Sequence, residues 1–335
     1  MSKIKTLYNR ITKPNCVLGS YYNCIYEPIY NTDVKISSYV PKLYNNEGKE
    51  IEFFFIRDAI RAHNPYSYSK YYFFDRYNIE LKTHFYTHNS MLEQMGHPDY
   101  KYGMLIESET IVPKDYEIFR RNKGLENDFD LIFTQSERLL NEIANARFVP
   151  FCSEVWYGND VSGGEWDPLA YQKKSKNVSI VSSDKLLCDL HKIRYNLAYK
   201  CKREKLCDTF GTFDGGNKIK LANSLTDYRY SIAIENEISA YWFTERITSC
   251  FASMTIPIYL GATKISDFFN PDGIIFITED DCKNIEKILK NCNEKEYEQR
   301  LPAILENYEK VQQFKCCGNF MYEHYLQNRN NVINR

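Results

Sequence analysis

The sequence has no excess of basic charge. Its 43 Lys and Arg are offset by 44 Asp and Glu, for a net charge of −1. It therefore lacks the cationic footprint with which proteins displace counterions from nucleic acid. No apolar run approaches the ~20 residues of a membrane span, and the opening MSKIKTLYNRITKPNC has no apolar core of a signal peptide. The expectation is a soluble cytoplasmic protein, with peripheral contact at the inner face of a membrane left open. No C-x-x-C occurs; the 11 cysteines are odd in number and scattered, with Cys316 and Cys317 adjacent. This pattern reads as reduced thiols packed as small hydrophobes, not as a disulfide framework. Internal repeats and low-complexity tracts are also missing.

What is present is enough apolar residue for two ordinary cores. At 335 residues and 43% hydrophobic content, two domains are expected. The 28 Tyr and 20 Phe are unusually many; Tyr suits sugar-binding surfaces as well as cores, and AT-rich codon usage would also raise it. In the first half, IEFFFI (51–56) reads as a strand, YGMLIESETIVP (102–113) as a strand running into a loop that Pro113 helps to close, and DFDLIFTQS (128–136) and RFVPFC (147–152) as strands. ERLLNEIANA is a short amphipathic helix between the last two, and DAIRAHNPYSYSKYYFFDRYN is an aromatic segment of mixed turn and helix character. The stretch 159–176, with two glycines, a proline and several acids, reads as a linker between domains 1–158 and 177–310. A helical segment over 311–335 closes the chain.

The second half is clearer. NVSIVSS, CDTFGTF, RYSIAIE and TIPIYLGA alternate with two helices. Leu186, Leu190, Ile193 and Leu197 mark the apolar face of the first; Ile247, Cys250, Phe251 and Met254 mark the second. Such units build a parallel sheet covered on both faces, whose ligands bind at the carboxyl ends of the strands. Glu235-Asn236 falls at the end of one strand, and Thr244-Glu245-Arg246 at the start of the next helix. The polar residues thus interrupt the apolar pattern at one sheet edge, where helix N–H groups also face outward to an anion.

At these residues the chain resembles the family-ten α-1,3/α-1,4-fucosyltransferases. YRYSIAIENEISAYWFTERITSCFASMTIPIYLGA (228–262) is similar to the family's strand, "FEN", "TEK" and "VPV" or "IPI" signature, and IPIYLGA with DFFNPDGIIFI is closest to bacterial members. IVSSDKLLCDLHKIRYNLA resembles the family's strand and arginine-bearing helix, with Arg194 at the arginine position. IESETIVPKDY resembles the segment that carries the catalytic glutamate. The resemblance implies an α/β fold of GT-B type, two Rossmann-like domains facing across a cleft. It implies inverting transfer of fucose from GDP-fucose to a hydroxyl of a glycan acceptor, of lipopolysaccharide or capsule type in bacteria.

Position by position, the resemblance implies Glu107 as the base, with Glu109 exchanging that role if the alignment slips by one step. Arg194 and Arg246 would meet the diphosphate, Arg246 standing where most members have lysine. Glu245 would accept from donor hydroxyls, Asn236 would orient the cleft, and Trp242, at a common tyrosine position, would pack on the nucleotide. Glu235 and Tyr195 are secondary candidates. Arg194 can serve only if its helix starts near Asp189, since a start at Asp184 sets it about 15 Å from the end. No cofactor beyond the GDP-sugar and no metal is expected. Asp128-Phe129-Asp130 has the D-x-D form but enters a buried strand, Glu279-Asp280-Asp281 reads as solvated loop charge, and His84 and His88 lack further ligands and read as surface or acceptor-side residues. The alternatives are a transferase of another GDP-sugar, a heptose or mannose derivative, and a non-catalytic glycan- or nucleotide-binding protein.

Overall fold

A computed structural model describes residues 43–44, 48–58, 69–75, 78–150 and 154–329. The opening sixteen residues and most of the DAIRAHNPYSYS segment lie outside them. The chain divides into two compact units, Met1–Phe151 with Cys316–Arg335, and Cys152–Lys315.

The first unit is built on a sheet in the order β1-β2-β4-β5-β6-β7, with β3 also pairing β2. Its strands are β1 (Leu43–Tyr44), β2 (Glu50–Arg57), β3 (Tyr72–Asp75), β4 (Thr83–Thr87), β5 (Tyr100–Met104), β6 (Leu131–Thr134) and β7 (Ala146–Phe148). Only the β1–β2 pair is antiparallel. β4 and β6 are buried along their whole length, as strands covered on both faces require. One of these strands departs from the sequence reading. YFFD pairs with β2 instead of turning, because Tyr72 and Phe74 pack with Phe54 in one aromatic layer. β5 stops at Met104, so Glu107 and Glu109 lie on a loop and share no strand face.

The last helical stretch belongs to this unit. Tyr322 stacks on Tyr71 at 4.5 Å and its hydroxyl donates to Glu52 at 2.7 Å. Arg329 pairs with Glu52 at 2.6 Å, and the Tyr325 hydroxyl donates to the Phe148 carbonyl.

The second unit has a wholly parallel sheet in the order β12-β11-β10-β8-β9. The strands are β8 (Lys176–Val181), β9 (Asp208–Phe210), β10 (Tyr228–Ile234), β11 (Ile256–Leu260) and β12 (Ile275–Phe276). β10 and β11 are buried throughout. The chain leaves β8 for β9 on one side, then crosses back to β10 on the other. β8 and β10 therefore flank a topological switch point, where connections diverge and leave a crevice at the carboxyl ends.

The stretch expected as a linker is folded into this unit. Asn159 Oδ1 accepts the N–H groups of Val161 and Ser162 in an Asx turn, Gly158 and Gly163 pair at 2.7 Å, and Trp166 packs on Tyr308. Side-chain turn bonds and one aromatic anchor outweigh the loop composition. The acids at 279–281 are likewise not loop charge. They form the first turn of a helix, Glu279–Lys283, where Thr278 and Asp281 make a reciprocal capping box. Eight cysteines lie among the described residues, and all are free thiols.

Candidate active site

Glu235 directly follows strand β10, and what its carboxylate does organises the edge. It is fully buried and accepts the Thr244 N–H at 2.9 Å and the Thr244 hydroxyl at 2.6 Å. Thr244 in turn caps the helix Glu245–Ala252 by accepting the Arg246 N–H. Glu235 thus ties the strand end to the helix start, leaving Glu245 and Arg246 half-buried in the first turn. Gly261 makes this packing possible. A Cβ there would collide with Glu235 Cγ and lie 2.5 Å from the Tyr259 hydroxyl.

Burial pushes the Glu235 carboxyl up to about 7, against the opposing effect of Arg246. Its folded value thus exceeds the unfolded one, so the folded state binds the extra proton. The stability that this group contributes is full below about pH 4.5 and is lost as pH rises through about 7. Glu235→Gln, a neutral isostere, is expected to flatten that decline. Denaturant unfolding of both proteins at pH 5 and 7.5 checks this; an unchanged difference between the two pH values counts against the burial argument.

The helix carrying Arg194 runs Asp189–Glu204. The start at Asp189 meets the condition set by the sequence, placing Arg194 five residues from the end, or about 7.5 Å. Leu186 precedes the helix and is exposed, so the apolar face begins instead with Leu190 and includes His191, Arg194, Leu197, Ala198 and Cys201. Arg194 is 2% exposed. Its Nη1 donates to the Ile234 carbonyl at 2.6 Å, and its Nε has no protein partner. Burial, then Arg246, lower its basicity to about 9, so it stays cationic at neutral pH. Asn236 follows at the same edge, its carbonyl accepting the Cys188 thiol at 3.3 Å. That contact joins the helix's N-cap residue to the end of β10.

His191 was not singled out by sequence. It sits in the first turn of the same helix, 6% exposed, with no protein partner at Nδ1. Burial and then Arg194, Arg246 and Lys185 depress it to about 4, so the imidazole is neutral among cations. Its position three residues before Arg194 on one helix face was the available signal.

A cavity of about 400 Å³ opens at this edge. Its polar wall holds Ser182, Ser183 and Lys185 after β8, with Glu245 and Arg246 opposite; Trp156, Val161 and Leu221 are among its apolar lining. Gly211 closes the wall after β9. It has φ +104°, and any Cβ would strike the Ser182 carbonyl, so only glycine fits. A larger open hollow of about 740 Å³ runs beside Lys176, Lys202 and Asp208. It lies toward the amino ends of β8 and β9, the wrong edge for a parallel-sheet ligand.

The remaining candidates divide. Trp242 is 2% exposed and lines no part of the cavity, and Tyr195 packs against Tyr199. In the first unit, Glu107 Oε1 accepts the Ser108 N–H at 2.8 Å, whereas Glu109 is paired with Arg138 at 2.6 Å and accepts the Ser136 hydroxyl. The D-x-D acids are tied down: Asp128 accepts from Gln94, and Asp130 from the Lys101 N–H. His84 and His88 are wholly buried, contrary to the surface reading. His84 bonds the Tyr86 hydroxyl and the Ile79 carbonyl. Among the described residues no group of three His, Cys, Asp or Glu could hold a metal ion, and no helix is long and apolar enough to cross a membrane.

Residues 171–301 match the family model "Glycosyltransferase family 10 (fucosyltransferase) C-term". That segment, under half of the chain, is similar to the carboxyl-terminal domain of the family-ten fucosyltransferases. The matched segment contains β8 to β12, both helices and the carboxyl edge just described. Each of the two units is an α/β unit on a parallel sheet, the first with one antiparallel edge pair. An α1,3-fucosyltransferase with GDP is similar at 14% identity and a TM-score of 0.48, over 89% of this chain and 94% of that one. The same enzyme type with GDP-fucose gives 15% and 0.46 over 84% and 92%. A sucrose-phosphate synthase from Thermosynechococcus elongatus gives 10% and 0.47 over 75% and 74%. No curated protein matches the sequence.

Proposed function

We propose that the protein transfers fucose from GDP-fucose, with inversion, to a hydroxyl of a glycan acceptor. The observation that carries this reading is the cavity at the β8/β10 switch point of the family-ten domain, with Glu245 and Arg246 in its wall. The diphosphate is expected against Arg246, the guanidinium in the cavity wall, with the buried cationic Arg194 behind that wall adding to the field. The nucleoside is expected in the apolar end beside Trp156 and Leu221. Glu245, lining the same wall, is expected to accept from sugar hydroxyls.

In the transfer step Glu107 takes the proton of the acceptor hydroxyl. The acceptor oxygen bonds to the anomeric carbon from the face opposite GDP, the bond to the β-phosphate oxygen breaks, and GDP leaves with the electron pair. The cationic residues stabilise the charge that develops on the diphosphate. Trp242, buried in the unit, supports the packing of the edge and is not assigned a ligand contact.

Calorimetric titration with GDP, UDP and ADP, followed by turnover of GDP-fucose, GDP-mannose and a GDP-heptose, tests the reading. GDP is expected to bind at least ten times tighter than UDP, with GDP-fucose the fastest donor. Tighter UDP binding removes the guanine assignment. Faster turnover of another GDP-sugar moves the enzyme to that donor, and nucleotide binding without any transfer makes it a binding protein.

A further inference from the structure

We propose that His88 is a positioning residue for Glu107: the imidazole clamps the loop from which the carboxylate projects. The inference rests on the reading of Glu107 as the base. β4 and β5 are parallel neighbours whose register pairs Thr87 with Met104. His88 therefore follows β4 at the same edge where Leu105 to Glu107 follow β5. His88 has φ +50° and no solvent exposure. A non-glycine residue in the left-handed region is strained, and the surroundings must hold it there.

What holds it is the β5 loop. Nε2 lies 3.1 Å from the Ile106 N and 3.3 Å from the Glu107 N, accepting both N–H groups. With its Nε2 lone pair so used, the ring carries its proton on Nδ1, which faces Asp115 Oδ2 at 3.2 Å. That contact is an ion-pair distance without the alignment of a hydrogen bond. Asp115 lies in the short helix Pro113–Tyr116, and the Tyr116 hydroxyl donates to the Glu107 carbonyl at 2.7 Å. The Glu107 peptide is thus gripped at its N–H by His88 and at its C=O by Tyr116. Among the described residues nothing comparable holds the Glu109 backbone, and its fixation comes through its side chain.

A residue present only for the fold should be improved or unaffected in backbone energy by glycine at φ +50°, while a clamp should lose its acceptor. His88→Gly, His88→Asn and Asp115→Asn are compared with the natural protein in three measurements: GDP affinity, kcat and KM with GDP-fucose, and amide hydrogen exchange of Ile106 and Glu107. His88→Gly is expected to raise exchange at both amides more than tenfold and to lower kcat at least tenfold, with GDP affinity unchanged. Asn tolerates the left-handed backbone and offers a shorter acceptor, so His88→Asn is expected to recover part of both effects, as is added imidazole in His88→Gly. Asp115→Asn, which leaves the ring in place, is expected to give a smaller fall in kcat. Unchanged exchange in His88→Gly overturns the clamp whatever the activity. Raised exchange with undiminished kcat overturns the positioning role. If Glu107→Gln is itself fully active, the reading of the base fails, while the exchange result still decides the clamp.

Discussion

Glu107→Gln is expected to lower turnover by about 10²–10⁴-fold, the usual contribution of a positioned general base, with GDP affinity unchanged. The substitution is nearly isosteric, and the amide oxygen can still accept the Ser108 N–H now held by Oε1. The loop should therefore survive, and only the ability to take a proton should disappear. Glu109→Gln provides the contrast. Its carboxylate is already engaged by Arg138 and Ser136, so its loss should loosen the loop onto the Glu137–Glu142 helix and reduce stability by about 1 kcal/mol or less for a half-exposed pair. A larger fall in kcat for Glu109→Gln than for Glu107→Gln would exchange the two assignments. Steady-state kinetics with thermal unfolding of both variants decides between them.

Arg246→Ala is expected to weaken GDP binding by about 10–100-fold, as losing a charge-assisted hydrogen bond of about 1.5–3 kcal/mol implies. Arg246 lines the cavity wall, and its backbone N–H, not its side chain, completes the Thr244 cap. Truncating the guanidinium should therefore spare the helix. Arg246→Lys keeps the charge but not the forked donor geometry, so an intermediate loss is expected. Arg194 differs because it is buried and bonded to the Ile234 carbonyl. Its removal would leave that acceptor unsatisfied and should cost stability along with affinity. Titration with GDP at two salt concentrations separates these cases. Arg246→Ala binding as tightly as the natural protein would remove the diphosphate from this wall.

Much of the second unit was legible because its strands are continuous apolar runs and its helices carry regular stripes. The polar interruption at 235–236 and 244–246 marked the sheet edge without any coordinates. The first unit was less legible. YFFD lies in a segment that reads as mixed turn and helix, and only pairing with β2 makes it a strand; the loop-like composition of 159–176 conceals an Asx turn. Glu235 and Trp242 illustrate the limit at the site itself. Both belong to the signature, yet one binds Thr244 and the other is enclosed, and a motif does not say which of its members faces the ligand.

The sequence alone determined the alternation of strand and helix, the family resemblance and the edge at which the charged residues collect. These are local properties, set by hydrophobic period and by residue order. Only the tertiary structure decided that Glu109 is committed to Arg138 while His88 grips the Glu107 peptide, and that His191 is buried on the helix face that carries Arg194. Those pairings join residues distant in the chain, or choose which way a side chain turns, and both depend on how the strands are laid side by side.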